Sequence, residues 1–200
     1  MAACRNFHKR EIKTMLSGFT GRNAARDKAL FLLGITTGFR VSELCSLTIG
    51  DVIEKGVVRN RLKVMQKNTK GKYASRTVPI LDHVRPYLVE ALRDCNRRGF
   101  FRPEARLFRI GRKRAYTIIR TCADSQGVFD RVGTHSMRKS FAHFVYQDAL
   151  EQRAHGIYLD PLLETSRALR HKTVQNTVAY LPESTELTYS LIRNLGRVFQ

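Results

Sequence analysis

Asn23-Ala24-Ala25-Arg26-Asp27-Lys28-Ala29-Leu30-Phe31-Leu32-Leu33-Gly34-Ile35-Thr36-Thr37-Gly38-Phe39-Arg40-Val41-Ser42-Glu43-Leu44 contains a helix, its stop signal and a displayed arginine in one run. Ala24, Ala25, Lys28, Ala29, Leu32 and Leu33 recur at helical spacing, and Leu30, Phe31 and Ile35 widen that face. The pattern predicts a core helix from about Asn23 to Thr37. Gly38 ends it, because glycine takes the left-handed conformation that closes a helix. A short second helix, Val41 to Leu47, follows at once. The turn between them presents Arg40, with Glu43 three positions on and within reach. Taken alone, this pair reads equally well as a surface ion pair.

Downstream of this corner, Gly56 opens an extended region. Val57 to Gln66 and Ser75 to Ile80 are β-rich runs on either side of Lys67-Asn68-Thr69-Lys70-Gly71-Lys72, a pattern for a hairpin with a long basic loop. Asp82 is placed to cap a helix running to about Arg98, with Pro86 in its first turn, where proline is tolerated. Further helices are expected from near Lys113, carrying Ile118 and Ile119, and from Ser136 to about Ala149. Asp160-Pro161 is a cap followed by proline at the first helical position, which predicts a helix from Pro161 to His171. Ser184 to Phe199 is amphipathic, with Leu187, Leu191, Ile192, Leu195 and Val198 on one side. The fold class expected is mainly α with a small antiparallel β-sheet.

The chain has 200 residues, and no internal repeat or Pro/Gly/Ser-rich linker divides it. Its 36 Lys and Arg against 17 Asp and Glu leave a formal charge of +19. Such an excess repels itself unless a polyanion is near, and nucleic acid is the polyanion that counterion release favours. The longest apolar run, Ala29 to Ile35, is far too short to span a bilayer, and no strongly basic amphipathic anchor stands out. Cys4, Cys45, Cys95 and Cys122 are scattered singly, without C-x-x-C or zinc spacing, as for free thiols in a reducing cytoplasm. No metal, cofactor or membrane partner is implied, and a cytoplasmic location is expected.

Two more clusters carry chemistry. His135-Ser136-Met137-Arg138 sets an imidazole and a guanidinium on one helical face. Leu169-Arg170-His171-Lys172-Thr173 is followed by Thr177-Val178-Ala179-Tyr180. An isolated H-x-x-R is weak, and a lone tyrosine near a helix end is usually packing. Their combination, in this order with Arg40 ahead, resembles the catalytic domain of the tyrosine recombinases of the phage integrase family. T-G-F-R-V-S-E-L is similar to that family's first box and H-S-M-R-K-S-F-A to its second. R-H-K-T-V-Q-N-T-V-A-Y is similar to the segment that ends on its nucleophile. The likeness runs from about Ala24 to Tyr180.

The resemblance implies a role for each residue. Tyr180 would attack a DNA phosphate and hold the strand as a 3′-phosphotyrosine. Arg40 and Arg138 would clamp the non-bridging oxygens, as guanidinium forks fit phosphate. His135 would take the tyrosine proton, and His171 would bind the phosphate or orient its neighbours. The family's hairpin lysine would be Lys70, with Lys67 and Lys72 also open. Glu43 would support Arg40. Arg76, Arg112, Lys113, Arg114 and Arg120, with Lys67 and Lys72, are the expected DNA contacts. The equal reading of Arg112 to Arg114 is a solvated basic face. Departures from the family pattern are Arg170 where glycine is usual, and a longer stretch between Arg138 and His171, its surplus near Gln147 to Leu159.

Residues 1–200 are accordingly expected to form a single catalytic domain, with a core from about 24 to 180 and a helical tail from 181 to 200. No N-terminal DNA-clamping domain is expected, which is similar to the solitary-domain fimbrial phase-switch recombinases. The implied partners are double-stranded DNA with specific sites, a homo-tetramer on that DNA and an accessory DNA-binding protein. Integration, excision and inversion all remain open. A type IB topoisomerase-like nicking-closing enzyme has the same chemistry, and a non-catalytic DNA-binding protein could keep the scaffold. An RNA-binding module lacks its signature here.

Overall fold

The computed structural model describes residues 4–64, 76–129, 131–178 and 180–181. The Ala29 to Ile35 run sits inside α2 (Ala24–Thr37), where every residue from Ala29 to Ile35 is buried. A helix apolar on all sides needs cover on all sides. It packs against α5 (Arg85–Arg97) and α7 (Thr134–Ala154), and around it lies one continuous core. Truncating a side chain such as Leu30, wholly buried there, should cost about 2–5 kcal/mol.

Gly38 closes α2 with φ 61°, and α3 (Val41–Ser46) follows, as the sequence predicts. Next come α4 (Ile49–Val52) and two antiparallel pairs. In the first, β1 (Ile53–Glu54) meets β2 (Val57–Val58); in the second, β3 (Arg61–Val64) meets β4 (Arg76–Pro79), with Leu62 opposite Val78. The expected strand from Val57 to Gln66 is therefore two strands. Lys55 and Gly56 both have positive φ, the two-residue turn that folds β2 back on β1. The hairpin loop, with Lys67, Lys70 and Lys72, lies outside the described residues, as does the amphipathic stretch from Ser184 to Phe199.

Asp82 does not cap α5. It opens a single 3₁₀ turn, Asp82–Val84, and its carboxylate takes the Arg85 guanidinium at 3.0 Å. Pro86 still falls in the first turn of α5. After α6 (Arg112–Ser125), α7 begins at Thr134 and runs on to Ala154, a turn beyond the Ala149 expected from the sequence. In α8 (Pro161–Leu169), Asp160 caps as expected, its carboxylate accepting the Leu163 amide at 2.8 Å. That helix stops at Leu169, short of His171, and a one-turn helix, α9 (Gln175–Val178), leads to Tyr180.

The sequence reading has no counterpart for α1 (Lys9–Gly18). Its Met15, with Phe7 and Phe19 on either side, is buried in the core, and the Phe7 amide donates to the Ser140 hydroxyl on α7 at 2.8 Å. Packing thus extends well ahead of Asn23. No helix among the described residues is long and apolar enough to cross a membrane.

Candidate active site

Arg138 is the largest wholly buried side chain of the described residues, 1% exposed. A charge in that position needs partners, and those it has are neutral. One terminal nitrogen donates to the Gly38 carbonyl, and the other to the Leu169 carbonyl at 2.8 Å. Its Nε–H has no partner among the described residues. The left-handed turn at Gly38 and a second one at Arg170, φ 51°, close the helices that supply these two carbonyls. Arg170 holds that conformation despite its side chain, which explains why glycine suits the position. Burial pulls the Arg138 guanidinium below its ordinary pKa, with help from Arg40, while Tyr180 and Glu43 oppose the shift. With carbonyls rather than a carboxylate on its arms, the positive charge is not neutralised and can attract an anion.

Arg40 is at the exposed corner between α2 and α3. Its backbone N–H donates to Glu43 Oε2 at 2.6 Å, and its guanidinium lies 3.6 Å from Glu43 Oε1. Glu43 thus fastens the corner, while the guanidinium stays half-exposed.

His135 occupies the first turn of α7 and is open to solvent on one side. Burial of the rest of the ring keeps its pKa below the ordinary 6.5, and Lys139, Arg138 and Arg40 add repulsion. At neutral pH the imidazole is therefore mainly uncharged and able to accept a proton. Lys139 lies one helical turn on, its Nζ 6.0 Å from the centre of the Tyr180 ring. Sequence reasoning missed Lys139, although its i,i+4 relation to His135 was a usable signal.

Tyr180 joins these groups. Its ring centre is 5.0 Å from that of His135 and 4.9 Å from that of His171, edge-on to both. Arg138 Cζ lies 5.9 Å from it. His171 Nδ1 is hydrogen-bonded to the buried Thr177 hydroxyl at 2.9 Å, a contact the sequence did not announce. Arg138, His135, His171 and Tyr180 are brought together from α7, the α8–α9 turn and the segment after α9, and Arg40 faces them from the α2–α3 corner. Lys67, Lys70 and Lys72 lie outside the described residues, and of the Arg76 side chain nothing is described.

Arg112, Lys113 and Arg114 form the exposed first turn of α6. Tyr116 in the next turn leans over the N-cap of α7, where a Cβ on Gly133 would come within 2.9 Å of its ring. The basic turn is thereby held near the end of α7 that carries His135. Arg120 is engaged by the Asp124 carboxylate and by the Val132 carbonyl at 3.4 Å.

A fold and a cationic tyrosine site of this kind define a phosphoryl-transfer class, and comparison with known proteins gives the family. Residues 5–157 match the model of the phage integrase family, and the chain belongs to that family. It is 27% identical over 172 residues to a probable integrase/recombinase, YoeC, of Bacillus subtilis (strain 168), covering 86% of this chain and 85% of that protein. It is 30% identical over 139 residues to the tyrosine recombinase XerC of Thermodesulfovibrio yellowstonii, covering 64% of this chain and 44% of that one. Among solved structures, the XerA recombinase superposes with a TM-score of 0.71 at 20% identity, over 97% of this chain and 66% of that one. The XerH site-specific recombinase, in a post-cleavage complex with a palindromic difH substrate, gives 0.68 at 19% identity, over 94% of this chain and 51% of that one. The chain thus spans most of YoeC but about half or less of XerH and XerC.

Proposed function

We propose that this protein is a site-specific recombinase that cuts and rejoins double-stranded DNA through a phosphotyrosine link on Tyr180. The observation that carries this reading is the seating of the Tyr180 ring between two imidazoles and beside a buried, un-neutralised guanidinium. A tyrosine placed only for packing has no need of that company.

In the reaction, the Tyr180 phenol oxygen attacks the scissile phosphorus and forms a P–O bond as the bond to the 5′-oxygen breaks. The phenol proton passes to His135, whose low pKa keeps it in the accepting form. The leaving 5′-oxygen takes a proton from the hairpin lysine, Lys70 by the sequence match. Arg138 and Arg40 hold the non-bridging oxygens and offset the charge that builds there, each worth on the order of 3 kcal/mol by analogy with an oxyanion-hole donor. The phosphotyrosine ester keeps the energy of the broken bond, so rejoining needs no nucleotide cofactor. Tyr180 meets the other groups within one chain, which supports cleavage by a subunit's own tyrosine.

The partner is double-stranded DNA with specific sites. Exchange between two duplexes requires four cleavages, and a homo-tetramer on DNA supplies them. An accessory DNA-binding protein would add grip to a catalytic domain of this size, and the cytoplasm is the fitting compartment. On a nicked suicide substrate the wild-type protein should form a covalent adduct stable to denaturant. Tyr180→Phe should form none while still retaining DNA in a mobility-shift assay. An adduct formed by that variant would refute the assignment.

A further inference from the structure

We infer that Thr177 is a positioning residue that fixes the tautomer and aim of His171 and ties that imidazole to the backbone of the nucleophile. The inference rests on the recombinase reading above and deepens it.

Threonines on helices of this chain usually turn their hydroxyl onto the carbonyl four residues back. Thr14, Thr36, Thr37, Thr117 and Thr165 all do so, onto Arg10, Leu32, Leu33, Lys113 and Pro161. Thr177 has its hydroxyl 2.9 Å from His171 Nδ1 instead. The reason is local: α9 starts only at Gln175, so the residue four back, Thr173, precedes the helix. The hydroxyl is wholly buried. A buried hydroxyl without a partner is costly, so the threonine holds the imidazole as its hydrogen-bond partner.

The backbone of Thr177 completes the link. Its N–H donates to the Val174 carbonyl at 2.7 Å, and its own carbonyl accepts the Tyr180 N–H at 2.9 Å. One residue therefore holds the His171 ring through its side chain and the start of Tyr180 through its main chain. The two rings meet edge-on at 4.9 Å between centres. If the hydroxyl donates to Nδ1, the ring proton resides on Nε2. That tautomer presents an N–H to a phosphate oxygen, whereas the other would present a lone pair and repel it. Tautomer control through the far ring nitrogen is a general means of orienting a working histidine.

Four variants of the full chain and one spectroscopic measurement test this. Thr177→Val keeps the shape and removes the hydroxyl. Adduct formation on the suicide substrate should slow by about 10- to 100-fold, the usual range when an orienting partner is removed. DNA affinity should change less than about twofold, since every phosphate-binding group is retained. Thr177→Ser should restore the rate to within about threefold, because only the hydroxyl is asked for. In a His171→Asn background, Thr177→Val should cost nothing further. In the nitrogen-15 NMR spectrum of the wild-type protein without DNA, His171 should show the Nε2–H tautomer, and Thr177→Val should mix the two forms. A wild-type rate in Thr177→Val, failure of serine to rescue, or an equal loss in the His171→Asn background would each overturn the inference, as would an Nδ1–H tautomer in the wild type. Absence of adducts from the wild-type protein would instead sink the recombinase reading, and the tautomer would still decide the role of Thr177.

Discussion

Shortening Arg138 would take away the two terminal nitrogens that donate to the Gly38 and Leu169 carbonyls inside the core. Each buried acceptor left bare costs about 1–3 kcal/mol. Arg138→Ala should therefore destabilise the fold by about 2–5 kcal/mol in urea denaturation as well as abolishing adducts. In the proposed reaction Arg40 would serve the same phosphate from an exposed corner, and its Glu43 contact includes a backbone N–H that any side chain would retain. Arg40→Ala should slow cleavage by about 100-fold or more while moving stability by under about 0.5 kcal/mol. Equal stability losses for the two variants would contradict the picture of one buried and one exposed clamp. The contrast also marks what sequence could and could not tell. Arg40, His135, Arg138, His171 and Tyr180 could be picked out as a set because the proposed chemistry calls for those side chains, and the fold brings them near one another. The carbonyls that hold Arg138 were not, since any residue has a carbonyl and only the fold decides which ones face inward. Thr177 was hidden for the same reason: its hydroxyl matters only because α9 begins too late to offer the usual acceptor.

At the level of elements, the two left-handed helix ends make opposite predictions. Gly38, φ 61°, is packed under Phe141, and a Cβ there would collide with that ring. Gly38→Ala should cost about 2 kcal/mol or more, from the conformation and the clash together, and should displace the carbonyl that Arg138 uses. Arg170, φ 51°, holds a strained conformation at the exposed end of α8. Arg170→Gly should raise stability by about 1 kcal/mol. Thermal melts of both variants check this, and a destabilised Arg170→Gly would mean that its side chain contributes more than its backbone loses. Helix boundaries were readable at Gly38, which ends α2, and at Asp160-Pro161, which starts α8, where the residue types suit the geometry. The β1–β2 turn was not, because Lys55 occupies a positive-φ position that normally signals itself through Asn, Asp or Gly. Nor was α1, whose N-cap is His8 rather than a usual capping residue and whose buried anchor is Met15.

Across the whole molecule, the charge of +19 sets both binding and its conditions. If the first turn of α6 lies on DNA, replacing Arg112, Lys113 and Arg114 together by alanine should flatten the plot of log affinity against log salt by about 2–3 units, near one for each phosphate no longer neutralised. An unchanged slope would return that turn to solvent. The same excess of cations contributes to the response to acid. His135 and His143 both have pKa values held below 6.5, in each case chiefly by burial. Lys139, Arg138 and Arg40 add to the effect at His135, as His8 and Lys9 do at His143. Below pH 6.5 the unfolded chain therefore takes up protons at these two positions that the folded chain refuses. Unfolding then gains protons, so stability is fully present above pH 6.5 and is lost as pH falls through the lowered values. Glu11, lowered by its Arg5 hydrogen bond, acts in the same direction below the ordinary carboxylate value of 4.5. Asp27, raised by burial, opposes it above its ordinary value of 3.8. Between pH 7.5 and 5.5 the histidines dominate, and the melting midpoint should fall. His143→Gln, outside the catalytic cluster, should blunt that fall without altering adduct formation at pH 7.5. A midpoint that rises on acidification, or a slope that ignores this substitution, would show that the two imidazoles accept their protons as readily in the folded chain as out of it.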